Sequence, residues 1–155
     1  MGVIEVRSPA MATGYRNNPG LSSQSFQEGW YNTGDLGRLD GDGLLHILGR
    51  AADAQEINGT LVTLPEIEEV LCQHPSIRYA VVIRDADEHV TIAAVTAWAG
   101  LSIDDGACRQ AIMDRFGVAA VASLLVVSVD HMPLTEQGKP DRTAIKQLAR
   151  RLRAA

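Results

Sequence analysis

The chain has 155 residues, which is room for one ordinary domain or for a small domain with a piece of another. Hydrophobic residues make up 46% and charged residues 21%, a balance typical of a globular protein and not of a disordered or collagenous one. The net charge of −5 provides no positive field for a polyanionic backbone, so we expect no nucleic-acid partner.

The first fifty residues predict an incomplete antiparallel β segment. Val3–Val6 has the pattern of a short strand, and the stretch Thr13–Gln27 has the glycine, asparagine, proline and serine content of a loop. Asp40-Gly41-Asp42-Gly43 predicts a hairpin turn that joins Leu36–Leu39 to Leu44–Leu48, because glycine supplies positive φ at low cost.

The character of the sequence changes after Gly49-Arg50. Short extended pieces surround the turn signal Asn58-Gly59, so a β-ribbon is expected between Ala51 and Leu64. Thr63-Leu64-Pro65-Glu66 has the form of a capping box with proline in the first turn. It predicts a helix that ends near Gln73–His74.

Four further elements complete the chain. They are strands at Tyr79–Ile83, Val90–Trp98 and Leu124–Val129, a helix from Asp104 and Asp105 to Gly117, and a last helix capped by Asp141 after the loop Pro133–Pro140. The predicted fold class is α+β: a β-ribbon and a central sheet of about three strands flanked by helices, preceded by the antiparallel β segment. We place a domain boundary after residue 50, which divides the chain into residues 1–50 and residues 51–155.

Cysteine spacing and hydropathy bear on metal binding and on cellular location. Cys72 and Cys108 lie far apart without CxxC or nearby histidine spacing, so we expect two buried free thiols and no metal site. No signal peptide is evident, and no stretch approaches the roughly 18 apolar residues of a membrane span. A cytoplasmic protein is therefore expected.

Three segments together carry a family resemblance. In order they are Gly29-Trp30-Tyr31-Asn32-Thr33-Gly34-Asp35-Leu36, then Gly49-Arg50 through Gly59 to Pro65-Glu66-Ile67-Glu68, and Pro133-Leu134-Thr135 with Gly138-Lys139 and Asp141-Arg142. Their order and spacing resemble the adenylate-forming superfamily of acyl- and aryl-CoA synthetases, peptide-synthetase adenylation domains and luciferases. The resemblance implies that residues 1–50 are the tail of a large N-terminal adenylating domain and that residues 51–155 are the mobile C-terminal domain.

The resemblance also implies an activity. Such ligases use ATP with Mg²⁺ to convert a carboxylic acid to an acyl-adenylate, and then transfer the acyl group to CoA or to carrier-protein pantetheine. The phosphate loop, the acid pocket and the glutamate used with magnesium do not occur in this sequence. We therefore expect an adenylation domain in cis as partner, no cofactor bound to this part, and no activity of this part alone.

Lys139 is the expected catalytic residue. In the family, the matching lysine stabilises charge that builds on the phosphates during acid activation, an electrostatic role suited to an ammonium group. Gly138 lets the loop approach closely, and Pro140 stiffens its exit. Without the surrounding motif, Gly-Lys-Pro would be an ordinary solvated turn.

The resemblance assigns nucleotide binding to three residues. Asp35 would accept hydrogen bonds from the ribose hydroxyls, or be an ordinary Asx-turn residue. Arg50 would contact the nucleotide, with a surface salt bridge as the alternative. Thr33 is a weaker candidate on the phosphate side.

Further positions relate to domain rotation and to the thiol. Ala52 occupies the usual hinge position, which is acidic or lysine in the family, and Asp53 follows it as a substitute. Gly59 would make room for the pantetheine arm, or be a plain hairpin glycine. Asn58 and Leu61 replace the family's basic residues of the ribbon, which favours carrier-bound pantetheine or an acyl-AMP-forming enzyme over CoA.

Alternatives to a ligase remain at this point. Basic residues of the last helix could attract an acidic carrier protein or CoA phosphates, or form a solvated face; they are Arg142, Lys146, Arg150, Arg151 and Arg153. A free-standing, non-catalytic module that binds a partner enzyme or carrier protein would share the fold. An unrelated small α+β binding protein would require all three motif matches to be accidental.

Overall fold

The computed structural model describes residues 1–154. The chain forms two compact units, residues 1–54 and residues from 55 onward, and each has its own sheet. The first unit is an antiparallel β segment with one short helix. The second has the predicted α+β architecture of a β-ribbon, a three-stranded sheet and flanking helices.

The first unit is built around one long strand. Its elements are β1 (Gly2–Val6), α1 (Pro19–Ser25), β2 (Phe26–Gln27), β3 (Trp30–Leu39) and β4 (Leu45–Arg50), followed by a short 3-10 turn at Ala51–Asp53. Strand β3 pairs antiparallel with β1, β2 and β4. The predicted hairpin is present: the backbone N–H of Asp40 donates to Leu44 O at 3.0 Å, and Gly43 has φ 81°.

The helix α1 corrects the loop prediction for Thr13–Gln27. Its first turn is organised by Asn18, whose side chain accepts a hydrogen bond from the Leu21 N–H at 3.0 Å, and Pro19 follows with a preset helical φ. Asparagine and proline, which contributed to the loop prediction, therefore start a helix here. The helix buries none of its residues, so the sequence has no apolar periodicity there to reveal it.

Within residues 55–154, the second unit has five strands and three α-helices, with a 3-10 turn at Val118–Val121. The strands and α-helices are β5 (Gln55–Ile57), β6 (Thr60–Val62), α2 (Leu64–Cys72), β7 (Ile77–Asp85), β8 (Val90–Ala97), α3 (Asp105–Phe116), β9 (Leu124–Ser128) and α4 (Arg142–Ala154). Strands β5 and β6 form the ribbon. In the three-stranded sheet, β8 is central and pairs antiparallel with β7 and parallel with β9.

Both faces of this sheet are covered by helices. Side chains alternate along β8, so Ala93 and Val95 belong to the cluster with α2 and α3, whereas Ile92 and Ala94 belong to the cluster with α4. Burial on both sides explains why β8 reads as an almost continuous apolar run.

The capping box at the start of α2 forms as predicted. The carboxylate of Glu66 accepts hydrogen bonds from both the backbone N–H and the hydroxyl of Thr63, each at 2.8 Å, and Thr63 is fully buried. We expect Thr63→Ala to lower the free energy of unfolding by about 1 kcal/mol, in the usual range for a lost helix cap. Urea unfolding measures this change, and Thr63→Ser, which keeps the hydroxyl, should retain most of the stability.

The expectation of two buried thiols is wrong for one cysteine. Cys108 is buried in α3, and burial raises the pKa of its thiol. Cys72 is exposed. It follows the buried Leu71 at the end of α2, and the helical step of about 100° turns the next side chain away from the core.

Within residues 1–154, no helix has the length and apolar content needed to cross a membrane.

Candidate functional site

The first unit brings Thr33, Asp35 and Arg50 together. Asp35 on β3 is the register partner of Arg50 at the end of β4, and the Arg50 Nε lies 3.3 Å from the Asp35 Oδ1. The Arg50 Nη1 also donates to the Thr33 carbonyl oxygen at 3.0 Å. The guanidinium therefore holds the chain on both sides of Gly34, which has φ 71°.

The carboxylate of Asp35 stays accessible in this arrangement. Its side chain is 29% exposed and that of Arg50 is 63% exposed. An acceptor-only carboxylate with a fixed position and an open side can bind a pair of vicinal hydroxyls. Arg50 both fixes the carboxylate and leaves donors on the surface.

Thr33 has a different local role from Asp35. Its hydroxyl donates to the Ile4 carbonyl oxygen at 2.9 Å and accepts the Asp35 N–H at 3.1 Å. The hydroxyl proton is thus used to tie β3 to β1. In this conformation Thr33 orients the backbone of Asp35, and its role on the phosphate side stays a prediction.

The loop that carries Lys139 is a small closed hairpin. Leu134 and Pro140 form an antiparallel bridge, and the Thr135 N–H donates to the Lys139 carbonyl oxygen at 2.7 Å. The Gly138 N–H donates to the Thr135 carbonyl oxygen at 2.9 Å, and the Lys139 N–H donates to the Thr135 Oγ1 at 3.3 Å. The backbone of Lys139 is therefore held from both its N–H and its carbonyl.

Gly138 makes this turn possible. Its φ is 75°, a left-handed conformation that costs an L residue roughly 1–2 kcal/mol, while a Cβ placed there would meet no atom within 4 Å. The constraint is conformational and not steric. The turn presents Lys139 as an exposed side chain on a constrained backbone, a cation that another surface or ligand can reach.

The ribbon turn places Gly59 at an open position. Asn58 and Gly59 have φ 51° and 77°, as a two-residue hairpin turn requires. A Cβ at Gly59 would meet no atom within 4 Å. The Asn58 side chain is directed towards α3, where its Nδ2 lies 3.5 Å from the Phe116 carbonyl oxygen.

The hinge candidates lie at the end of the first unit. Ala52 and Asp53 belong to the 3-10 turn Ala51–Asp53, and the Ala54 N–H donates to the Ala51 carbonyl oxygen at 3.3 Å. The division between the two units follows directly after Ala54. Their role in rotation stays a prediction.

Three basic residues of α4, Lys146, Arg150 and Arg153, lie beside acidic side chains. Arg150 makes two hydrogen bonds of 2.8 Å to the two carboxylate oxygens of Asp85, which is fully buried, and one of 3.0 Å to Asp87. Arg153 lies 3.5 Å from Glu88, and the Lys146 Nζ lies 3.9 Å from Asp85. Sequence reasoning missed this cluster because its partners lie far apart in the chain, 65 residues for Asp85 and Arg150, and carry no motif.

A metal site is not evident in the chain's own residues. Across residues 1–154, no group of three or more His, Cys, Asp and Glu side chains is arranged to hold an ion. The described residues therefore do not fit Mg²⁺ by themselves.

Comparison with known families identifies the second unit. Residues 66–139 match the model of the AMP-binding enzyme C-terminal domain. The chain is 35% identical over 156 residues to the medium/long-chain-fatty-acid–CoA ligase FadD8 of Mycobacterium tuberculosis, a match that covers 94% of this chain and 27% of that protein. It is 33% identical over 150 residues to the 2-succinylbenzoate–CoA ligase of Geobacillus kaustophilus, covering 95% of this chain and 30% of that protein.

Solved structures agree with this similarity. An amide bond synthetase from Marinactinospora thermotolerans matches with a TM-score of 0.74 at 33% identity, covering 94% of this chain and 30% of that one. The o-succinylbenzoate coenzyme A synthetase of Bacillus subtilis, solved in complex with AMP, matches with a TM-score of 0.70 at 30% identity and the same coverage.

The matches also show how much of these proteins the chain covers. It spans less than a third of the length of the ligases and synthetases named above. Both the predicted fold class and the predicted resemblance are confirmed. Residues 66–139 match the AMP-binding enzyme C-terminal domain, and the chain as a whole is similar to the C-terminal portion of adenylate-forming enzymes.

Proposed function

We propose that this chain is the C-terminal part of an ATP-dependent acid–thiol ligase and supplies Lys139 to the adenylation step. The observation that carries the proposal is the closed hairpin of residues 134–140, which exposes the Lys139 ammonium on a backbone held at both its N–H and carbonyl. A solvated surface lysine needs no such support. Similarity to CoA ligases of several acids supports the reaction class.

In the proposed adenylation step, a carboxylate oxygen of the acid attacks the α-phosphorus of ATP. An oxygen–phosphorus bond forms, the bond from the α-phosphorus to the bridging oxygen breaks, and pyrophosphate leaves. Negative charge builds on the phosphate oxygens, and the Lys139 ammonium stabilises it. The lysine acts as a fixed positive charge and transfers no proton.

The first unit contributes to ATP binding in this proposal. The exposed side of the Asp35 carboxylate accepts hydrogen bonds from the two ribose hydroxyls, and Arg50 keeps that carboxylate in place while contacting the nucleotide. Thr33 fixes the Asp35 backbone and is the weaker candidate for the phosphate side. These residues bind and orient the substrate.

The second half-reaction involves the ribbon. The thiolate sulfur of a pantetheine arm attacks the acyl carbonyl carbon, a carbon–sulfur bond forms, the bond from that carbon to the phosphate oxygen breaks, and AMP leaves. Gly59 lies at an open turn without a side chain, which supports a role in accommodating that arm.

Residues 1–50 would be the tail of the adenylating domain and residues 51–155 the mobile domain, with Ala52 and Asp53 absorbing the rotation. The division of the chain after Ala54 supports a hinge in this region.

The acceptor is CoA or a carrier-bound pantetheine. Because Asn58 and Leu61 stand where the family has cationic groups, and because Arg150 and Arg153 are paired with acidic residues, we favour recognition of the neutral arm over recognition of phosphates. A cytoplasmic location follows from the same proposal, since ATP and the acceptor thiols are available there.

The proposal is tested by ATP–pyrophosphate exchange. The chain joined in one polypeptide to an adenylating N-terminal domain should catalyse exchange that depends on the acid, and the 155-residue chain alone should not. If the joined polypeptide shows no exchange with any acid while binding a carrier protein, the non-catalytic binding module is the correct alternative.

A further inference from the structure

A buried carboxylate outside all the family motifs holds the helix that follows the Lys139 loop. Asp85, the last residue of β7, is fully buried, and both its oxygens accept hydrogen bonds from Arg150 of α4 at 2.8 Å. This two-point pairing between a planar guanidinium and a carboxylate fixes orientation as well as distance. We name Asp85 and Arg150 the latch.

Electrostatics keeps the latch charged. Burial alone raises the pKa of the Asp85 carboxyl, but the hydrogen bonds and charge of Arg150 and the charge of Lys146 outweigh it, so the pKa lies below its ordinary value. The exposed Asp87 adds a hydrogen bond to the same guanidinium. The pair is ionised at neutral pH, and removal of one partner would leave a buried group unsatisfied.

The apolar contact of α4 with the sheet is narrow. The helix has 13 residues, and its buried apolar side chains are Ile145 and Ala149, which pack on the sheet with the partly buried Leu148. Leu152, one turn further on, is 55% exposed and adds little to this contact. A narrow apolar contact leaves room for the helix to slide or tilt, which a two-point polar contact prevents.

The start of α4 is also the exit of the Lys139 loop. Asp141 caps the helix by accepting the Ala144 N–H at 2.9 Å, and its own N–H donates to the Pro133 carbonyl oxygen at 2.9 Å, which closes the loop. Lys139 lies two residues before Asp141. Arg150 lies eight residues after Arg142, about 12 Å along the helix axis.

We propose that Asp85 is a positioning residue for Lys139: by pairing with Arg150 it anchors α4 and thereby fixes the direction from which the ammonium approaches its substrate. The proposal deepens the proposed function and depends on it for its catalytic consequence. The anchoring itself is a property of this chain and can be measured without activity.

The first measurement is amide hydrogen exchange on the 155-residue chain. Asp85→Asn should speed exchange across residues 133–150 at least tenfold while α2 and α3 exchange as in the original protein. Asp87→Asn is the matched control, because it removes only the exposed contact to the same arginine, and it should leave the pattern unchanged.

The second measurement is kinetic, in the polypeptide joined to an adenylating domain. Asp85→Asn should lower kcat for pyrophosphate exchange between tenfold and a hundredfold, because a misplacement of about 1 Å can cost a factor of 100. The KM for ATP and thioester formation from preformed acyl-adenylate should not change. A purely structural role would lower both half-reactions together through loss of folded protein.

Several outcomes overturn the proposal. If Asp85→Asn leaves amide hydrogen exchange at residues 133–150 unchanged, the proposal is contradicted. Faster amide hydrogen exchange there with an unchanged kcat for pyrophosphate exchange would also contradict it. So would unfolding of the whole second unit by both Asp85→Asn and Arg150→Lys, because the pair would then hold the unit and not the helix. If Lys139→Ala leaves adenylation intact, the proposed function is wrong. The amide hydrogen exchange experiment still decides whether Asp85 anchors α4.

Discussion

Replacing Lys139 by alanine should lower the rate of ATP–pyrophosphate exchange roughly 100- to 1,000-fold, the usual effect of removing one preorganised charge donor. The effect should fall on kcat, because the ammonium stabilises charge that exists mainly in the transition state. The measurement is steady-state exchange by the joined polypeptide. The substitution keeps the two backbone hydrogen bonds of residue 139 to Thr135, so it isolates the side chain.

Two comparisons make this result specific. Gln137→Ala changes an exposed side chain of the same hairpin and should leave exchange within about twofold of the original protein. Thioester formation from synthetic acyl-adenylate should proceed in Lys139→Ala, because that step involves no attack on the α-phosphorus. Equal loss in both half-reactions would show that the loop supports the fold and not the adenylation chemistry.

The second large effect is expected at Asp35. Asp35→Asn should raise the KM for ATP roughly 10- to 150-fold, the equivalent of losing one charge-assisted hydrogen bond of about 1.5–3 kcal/mol. At saturating ATP, kcat should change little, since the ribose is bound equally in the ground state and the transition state. Steady-state exchange over a range of ATP concentrations measures both constants.

A substrate change tests the assigned partner of Asp35. The original protein should use 2′-deoxy-ATP with a raised KM, whereas Asp35→Asn should hardly distinguish it from ATP. Asp42→Asn, on the exposed turn between β3 and β4, removes a charge from the same unit and should alter neither constant. Independent, additive effects of the deoxy substrate and the Asp35 substitution would exclude a ribose contact.

Local signals of the sequence predicted much of the fold because the deciding interactions are local. The capping box at Thr63 and Glu66, the two-residue turn at Asn58 and Gly59 and the helix cap at Asp141 each involve groups within a few residues of one another. The loop Pro133–Pro140, which carries Gly138 and Lys139, was predicted from local signals as well. Such interactions are readable without knowing which strands meet.

The features that could not be predicted from the sequence depend on long-range contacts or on burial. The helix α1 has no buried face and hence no periodic signal, so its Asn18 cap looked like a loop residue. The exposure of Cys72 follows from its angular position beside Leu71. The latch joins residues 65 apart, and only the pairing of β7 with β8 and the packing of α4 bring them together.

The candidate site also has features that the sequence predicted and features that only the structure shows. A hairpin from β3 to β4 was predicted, but the direct pairing of Asp35 with Arg50 required the register of the strands, including its shift between Leu36 and Gly37. The family motif named both residues without showing that one fixes the other. The internal hydrogen bonds of the Thr33 hydroxyl could not be read from the motif either.

The most direct test of the central claim is the distance between the Lys139 Nζ and the phosphate oxygens of bound ATP. It can be measured in a crystal structure of the joined polypeptide with ATP and an unreactive analogue of the acid. We predict a conformer in which that nitrogen lies about 3 Å from an oxygen of the α-phosphate or of the departing pyrophosphate. A hairpin of residues 134–140 that lies far from the nucleotide in every conformer would contradict the account.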